Sequence, residues 1–452
     1  MATATGSLPR QVERPSGEDR WFTVSMLGAV GLLAFIGGGF VVLHGLWPGK
    51  VMTNAYEGAN ALYWLNKAHE SPLKTDQWFP ARRSERGVTV HDAARALNGY
   101  TLYTSGHDSS AQLIDMNGDV VHEWRRRFSE IWDETSAVKS PAPDEFMYWR
   151  KAKLLPDGAL LAVYENVDTP WGYGLAKVDR DSNVVWKYLE QVHHDVEVGQ
   201  DGRIYTLTHT INHEPYENYP HLTPRIDDYV VVLSPDGEEL RKISVLEAIM
   251  NSPFVELLQR IKPGFPGDLL HTNAIEPIEG ELARGLPFDA EGTVLISLRD
   301  IDTLAAVNLD SGEVVWVLRG PWLAQHDPDV LPGGRILLFD NQGNFEPDNR
   351  SRILEVDAET GAIVWSYVGD DAHPFDSTIR AAQQRLPNGN TLITESSGAR
   401  LLEVTPGGEI VWEYMNPVRE QHPGDPAVEL APVVSWAERF APGDLPSGLL
   451  SR

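Results

Sequence analysis

Histidines recur in this sequence at one fixed distance before a short turn. They stand eight residues upstream of a turn glycine, or align with that position where an insertion interrupts the count: His91, His194, His271 and His326. Imidazole side chains act as nucleophiles, as general acids or bases and as metal ligands. Equivalent positions of a circular repeat gather around one axis. We therefore expect these side chains to meet in one pocket.

Arginine and amide side chains accompany the histidines. They are Arg150 and Arg380 in or beside the histidine register, Asn273 close to it, and Arg299 and Asn341 at the ends of predicted second strands. A guanidinium group binds two oxygens of an oxyanion at once. Three histidines could instead hold zinc, but the arginines would repel a cation. We therefore expect an oxyanion site and no metal; the alternative is a structural His-Asp pair at each strand start.

Two alternating half-motifs position these residues. The first halves, such as LLPDGALLAV and RLPNGNTLIT, span 91–103, 150–163, 194–207, 271–298, 326–339 and 381–394. The second halves, such as GEVVWVL and GEIVWEY, span 111–124, 174–188, 229–242, 304–319, 352–367 and 400–414. Each half is typical of a β-hairpin around an Asp-Gly or Asn-Gly turn. Six repeats of two hairpins predict an all-β, six-bladed β-propeller.

The predicted propeller is one domain of a longer arrangement. It spans 86–420 and is followed by a C-terminal extension, 421–452, whose VVSWAERF segment we expect to pair into a blade and close the ring. A short tail, 1–20, precedes an uncharged stretch, 21–47, and a linker, 48–85. The stretch is long enough for a transmembrane helix, and the arginines before it place the tail in the cytoplasm. This predicts a membrane anchor with the propeller exported.

Charge and composition exclude some functions. The 452 residues carry a formal net charge of -27, which argues against nucleic acid as a partner. The chain has no cysteine, so disulfides and thiolate metal sites are excluded. A local cationic pocket for a small anion remains compatible with an acidic surface. The sequence does not specify an oligomeric state.

Several segments resemble the arylsulfotransferase (aryl-sulfate sulfotransferase) family of exported bacterial propeller enzymes. They are HHDVEV, LLHTNAI, TVLISLRDID, WLAQHDPDVLPGGRILLFDNQGN and RLPNGNTLITES. The resemblance implies a PAPS-independent, ping-pong transfer of a sulfo group from an aryl sulfate to a phenol through a sulfo-histidine, without a cofactor. It places the nucleophile on His326, and sulfate-binding and acid/base roles on His194, His271, Asn273 and Arg299. It does not say which of His194 and His271 is the general acid.

The remaining register residues are expected to help to bind substrate: Arg150, Arg380, Asn341 and His91. The physiological donor and acceptor stay open, and polysaccharide or lipid acceptors are alternatives to phenols. Two other functions compete with sulfotransfer. One is a catalytically inactive, membrane-tethered propeller that binds a ligand or partner. The other is a quinone-cofactor dehydrogenase-like propeller, which would need eight blades and calcium ligands.

Overall fold

The computed structural model describes residues 26, 28–38, 41, 71–167, 171–214, 224–261, 267–342 and 350–450. The chain divides into two compact units, Met1–Glu70 and Ser71–Arg452. The described residues of the first unit are helical. No helix within the described ranges is both long and apolar enough to cross a membrane. The predicted tail, most of the predicted transmembrane helix at 21–47, and the linker up to residue 70 lie outside those ranges.

The second unit is all-β, with mostly antiparallel sheets in a propeller-like arrangement, which confirms the predicted fold class at that level. The first sheet contains β3 (Tyr100–Ser105), β4 (Ser110–Ile114) and β5 (Val120–Arg125). The second contains β6 (Met147–Leu154), β7 (Leu160–Asn166), β8 (Gly172–Val178) and β9 (Val184–Tyr188). The third contains β10 (Val192–Val198), β11 (Ile204–Asn212), β12 (Arg225–Leu233) and β13 (Glu239–Ser244), with β14 (Gly267–Asp268) parallel to β12.

The fourth sheet contains β15 (Thr272–Ile278), β16 (Thr293–Leu298), β17 (Thr303–Asn308) and β18 (Val314–Leu318). The fifth contains β19 (His326–Leu331), β20 (Arg335–Asp340), β21 (Arg352–Asp357) and β22 (Ile363–Val368). The sixth contains β23 (Ala382–Arg385), β24 (Thr391–Glu395), β25 (Arg400–Val404) and β26 (Ile410–Met415). Strand β2 (Gly87–His91) pairs with β26, and β29 (Val434–Phe440) pairs with β3. Each sheet contacts the next, and the sixth contacts the first.

Smaller elements complete the second unit. Strands β1 (Trp78–Pro80), β27 (Glu420–His422) and β28 (Asp425–Pro432) form a separate three-stranded sheet. One short α-helix spans Val245–Met250, and 3₁₀ turns span Pro72–Lys74, Phe128–Glu130, Asp144–Phe146, Val255–Arg260 and Arg299–Ile301.

The repeated tryptophan of the second half-motif joins neighbouring sheets. In three sheets the indole N–H of the strand that carries the second half-motif's tryptophan donates to a backbone carbonyl in a hairpin turn of the following sheet. The bonds run from Trp186 to Pro235, from Trp365 to Pro406 and from Trp412 to Met116, at 3.1, 2.8 and 3.0 Å. Trp412 is fully buried, and a buried indole needs a partner for its single donor. The sequence repeat therefore encodes contacts between sheets as well as the hairpins themselves.

The strands that close the ring of sheets differ from those that the sequence repeats predicted. The segment 91–103, taken as the first half-motif, does not form an inner hairpin: β2 lies on the outer edge of the sixth sheet, and His91 is exposed there. The inner strand of the first sheet is instead β29, which lies within the predicted extension 421–452. The ring is thus closed by strand pairs that join early and late parts of the sequence, β2 with β26 and β29 with β3. Without such pairs, strand edges would leave a row of backbone groups without partners.

A buried ion pair fastens β29 to the sixth sheet. Arg439 of β29 and Glu403 of β25 are paired at 3.2 Å, and both side chains are fully buried. We expect Glu403→Ala to lower the free energy of unfolding by about 3–5 kcal/mol, because it leaves a buried guanidinium uncompensated. Urea denaturation followed by tryptophan fluorescence measures this. The control is Glu409→Ala, which removes an exposed partner of Arg95 and should cost at most about 1 kcal/mol; equal effects would contradict the role of the buried pair.

Candidate active site

Backbone irregularities mark the inner ends of the strands that carry the histidine register. In each of the second to fifth sheets, the pairing between the first and second strands shifts register at one point. The shifts lie between Trp149 and Lys151, between His193 and Val196, between Thr272 and Ala274, and between His326 and Asp329. Left-handed backbone occurs at His194, His271, Asp327 and Arg380, with φ of 59°, 50°, 49° and 58°. Such bulges turn side chains out of the alternating pattern of a strand, and strained backbone concentrates at functional sites.

Six of the nine predicted site residues line one cavity of about 240 Å³. They are Arg150, His194, His271, Arg299, His326 and Arg380. Five further residues complete its wall: Asp76, Glu165, Val167, Trp171 and Ile379. The cavity therefore gathers residues from the strands, or the adjoining segments, of five sheets, the second to the sixth, as the shared register requires.

Three predicted residues lie elsewhere. Asn273 borders a smaller void deeper in the same region, where its side-chain NH₂ donates to the carbonyl of Gln325 at 2.9 Å. Asn341 lies behind His326 and is fully buried. His91 does not line the cavity, because β2 pairs with the outer edge of β26 and does not begin an inner hairpin. This position contradicts its predicted substrate-binding role.

Hydrogen bonds fix the tautomer of His326. Its Nδ1 lies 2.8 Å from Asn341 Oδ1 and 3.1 Å from the carbonyl oxygen of Ala324. Both partners can only accept, because the Asn341 NH₂ group already donates to the carbonyls of Ser377 and Arg380 at 2.7 and 2.8 Å. The proton must therefore lie on Nδ1, which leaves the lone pair on Nε2.

The charge state of His326 follows from its surroundings. Burial, together with the positive charges of Arg299 and Arg150, lowers the pKa of His326 well below that of an ordinary histidine. The side chain is therefore neutral at pH 7. A neutral imidazole with a defined lone pair is the form in which histidine attacks an electrophile.

Asn341 is thus a positioning residue, and we expect Asn341→Ala to lower kcat by about 10–100-fold with little change in KM. That is the range typical of losing a group that orients a reactive histidine. Steady-state kinetics with an aryl sulfate and a phenol, the substrates that the sequence resemblance implies, would measure the changes in kcat and KM separately. A rise in KM at constant kcat would instead indicate direct substrate contact. Circular dichroism controls for folding, because the carbonyls of Ser377 and Arg380 lose a donor.

The pKa of His271 is shifted in the opposite direction. Its Nδ1 is hydrogen-bonded to Asp268 Oδ2, and its backbone N–H donates to Asp268 Oδ1 at 3.1 Å. Burial opposes the charged form, but the Asp268 carboxylate outweighs it and raises the pKa of His271 above that of an ordinary histidine. The imidazolium can therefore present an Nε2–H as a proton donor.

His194 is a neutral donor. The indole N–H of Trp171 donates to His194 Nδ1 at 3.2 Å, and His193 Nδ1 lies 2.8 Å from the same atom. Indole is a donor only, so His194 Nδ1 accepts and its proton lies on Nε2. Burial and the neighbouring His271 and His193 lower the pKa of His194 well below the usual range.

Three arginines make the cavity locally cationic. Arg299 pairs with Asp300 at 2.6 Å, and Arg380 lies 3.3 Å from Asp76 Oδ1. Arg150 donates to the carbonyl of Ser435 at 2.8 Å and lies 3.9 Å from Glu165. Within the described wall only Asp76 and Glu165 carry carboxylates, against three guanidinium groups and the His271 imidazolium. This arrangement suits the oxygens of a small oxyanion.

Glu165 and Trp171 were missed by the sequence reasoning. Glu165 accepts from the backbone N–H of His194 at 2.6 Å and from the Tyr148 hydroxyl at 2.8 Å, and burial raises its pKa. A sequence signal for it existed. Glu165, His209, Arg299 and Asn341 each follow a turn glycine by seven residues: Gly158, Gly202, Gly292 and Gly334. Trp171 has no such register, and its ring lies 5.1 Å from that of His271.

Residues 151–417 match the family model described as Arylsulfotransferase (ASST). The chain belongs to this family. The match covers the second to the sixth sheets and contains every cavity residue except Asp76 and Arg150. The resemblance inferred from the sequence strings is thereby confirmed, and membership supports a sulfotransferase function in general terms.

Other comparisons add little about this arylsulfotransferase family member. No curated protein gives a significant match. Similar solved structures include a protein of unknown function from Bacteroides caccae, with 12% identity, a TM-score of 0.47, and coverage of 70% of this chain and 93% of that one. Another is the WD40 β-propeller domain of Doa1, with 11% identity, a TM-score of 0.39, and coverage of 81% and 96%. A third is virginiamycin B lyase from Staphylococcus aureus, with 13% identity, a TM-score of 0.39, and coverage of 76% and 88%.

Proposed function

We propose that this protein is a PAPS-independent sulfotransferase that moves a sulfo group from an aryl sulfate ester to a phenol, by a ping-pong mechanism through sulfo-His326. The observation that carries the proposal is the state of His326. It is a neutral imidazole whose Nδ1–H is held by Asn341, so that Nε2 is left as nucleophile in a cavity with three arginines. Family membership supports sulfotransfer in general.

In the first half-reaction, His326 Nε2 attacks sulfur. The N–S bond forms while the bond from sulfur to the phenolic oxygen breaks, and the electron pair of the broken bond goes to the leaving phenolate. Negative charge on the three sulfo oxygens is met by Arg150, Arg299 and Arg380, which act as preorganised electrostatic stabilisers. His194 adds a neutral donor through its Nε2–H.

We assign the general acid to His271 rather than to His194. His271 is charged because of Asp268, whereas His194 is neutral and its Nδ1 is occupied by the Trp171 indole. His271 gives its Nε2 proton to the leaving phenolate and becomes neutral. In the second half-reaction it takes the proton of the incoming phenol, whose oxygen attacks the sulfur of sulfo-His326 and restores the free imidazole. General acid–base assistance of this kind contributes about 10²–10⁴-fold.

We also propose that the six sheets are the blades of a six-bladed propeller with the cavity at one mouth of its central channel. The closed sequence of contacts between successive sheets supports this, as does the pairing of β29 with β3. Such a scaffold explains why residues from five sheets converge.

Purified full-length protein with 4-nitrophenyl sulfate, with and without phenol, tests the activity. We expect nitrophenol release that depends on phenol. Phenol-independent release would indicate a sulfatase, because water would then be the acceptor. No release from any of a panel of aryl sulfates would favour a propeller that binds a ligand without turning it over.

A further inference from the structure

A second cluster of titratable side chains lies behind the cavity, on one face of the third sheet. His209 on β11 and Asp228 on β12 are direct cross-strand partners, and His193 lies on the adjacent strand β10. All three are buried, with 0%, 1% and 3% of their surfaces exposed for His193, His209 and Asp228. None of them lines the cavity of the proposed reaction. We call these three residues the His-His-Asp cluster.

The cluster holds unpartnered ligand atoms at close range. One ligand atom from each of the three residues lies within 4.8 Å of the others. His193 Nε2 and both ring nitrogens of His209 are buried and have no hydrogen-bond partner among the residues that the structure describes. The two imidazole rings stack with centroids 4.6 Å apart. A buried polar atom without a hydrogen-bond partner destabilises the folded state, so we expect these nitrogen atoms to bind a ligand.

We propose that the His-His-Asp cluster is a metal site that binds a divalent transition-metal ion of the zinc type. Two imidazoles and one carboxylate are a donor set that zinc and neighbouring first-row metals accept.

The local charge also favours a cation. The Asp228 carboxylate is buried, and the charge-bearing side chain within 4 Å of it among the described residues is the imidazole of His193. His193 Nε2 and Asp228 Oδ1 are 3.8 Å apart, too far for a hydrogen bond. A divalent ion would compensate the carboxylate and satisfy the imidazole lone pairs together.

A second group of possible ligands, Asp268, His271 and Asp300, is less suited to a metal. Its members are already used: Asp268 is hydrogen-bonded to His271, and Asp300 pairs with Arg299 at 2.6 Å. The guanidinium of Arg299 would also repel a cation. Unpartnered ligand atoms therefore distinguish the His-His-Asp cluster from this second group.

A metal in the His-His-Asp cluster would act on the cavity through one contact. Coordination at His193 Nε2 requires the proton on Nδ1, and this Nδ1 lies 2.8 Å from His194 Nδ1. A metal-bound histidine usually donates its other ring N–H, which fixes its tautomer. His193 would then donate to His194 and keep the His194 proton on Nε2. The metal would be a positioning element, without contact to the substrate.

Metal analysis of the full-length protein tests the site without any activity assay. After tag removal and dialysis without chelator, we expect about one zinc ion per chain by plasma mass spectrometry. His209→Gln and Asp228→Asn should lose it. Two controls should keep it: Asp300→Asn, in the second ligand group, and His107→Gln, a histidine bonded to Ser105 in the first sheet.

Two results would overturn the proposal. One is substoichiometric metal in the unaltered protein together with no rise in Tm on addition of zinc. The other is metal that is lost in Asp300→Asn but retained in His209→Gln. If the cluster variants fail to fold, zinc-edge X-ray absorption of the unaltered protein decides: about two imidazole ligands support the His-His-Asp cluster, and a first shell without imidazole contradicts it.

Discussion

Replacing His326 by alanine is expected to lower the turnover of 4-nitrophenyl sulfate by at least about 1,000-fold, because removal of a covalent nucleophile costs 10³-fold or more in enzymes that depend on one. His326 is the cavity histidine that is both neutral and held in one tautomer with Nε2 free. The measurement is the phenol-dependent rate of nitrophenol release. Without acceptor, intact-mass spectrometry should show one added sulfo group on the unaltered protein and none on the variant.

The matched control for this substitution is His91→Ala. The sequence placed both histidines in one register, but His91 is exposed on β2 at the outer edge of the sixth sheet. Its removal should leave turnover within about twofold, as expected for a surface change far from the site. A sulfo group that peptide mapping places on His194 or His271 would contradict the assignment, as would undiminished labelling of His326→Ala.

The second large effect is expected for His271→Gln, and it should depend on the leaving group. With a basic leaving group such as 4-methylphenolate, loss of the general acid should lower the rate of the first half-reaction by about 10²–10⁴-fold. With 4-nitrophenolate, which leaves without a proton, the loss should be much smaller. The control is His194→Ala, which removes a donor to the sulfo oxygens and should slow both substrates equally. If His271→Gln slowed the reaction equally with both leaving groups, His271 would contribute only its positive charge and not a proton.

The pH dependence of the first half-reaction follows from the two shifted pKa values. His326 must be neutral, and its pKa is lowered, so activity should persist on the acid side of the ordinary histidine pKa near 6.5. His271 must be protonated, and its pKa is raised, so activity with a basic leaving group should be lost only as pH rises above that value. Asp268→Asn should move the alkaline limb to lower pH. With 4-nitrophenyl sulfate the alkaline limb should be weak.

The sequence determined the hairpins, the register and most of the cavity wall. Turn glycines and alternating apolar residues act over fewer than ten positions, so they can be read without knowing the rest of the chain. Because the hairpins repeat, the residues eight before and seven after a turn glycine occupy equivalent places. This is why spacing alone groups Arg150, His194 and His326, which do line one cavity. The family was also identified correctly from strings in the same repeats.

Only the tertiary structure decided which histidine can do what. The partners that set the proton positions on His326, His271 and His194 are Asn341, Asp268 and Trp171, and none of them follows from the histidine register alone. Ring closure by β29 displaced His91 to the outer edge, a consequence of pairing the two ends of the chain. Charge state and tautomer depend on burial and on groups brought together from distant positions, so they arise only when the sheets pack.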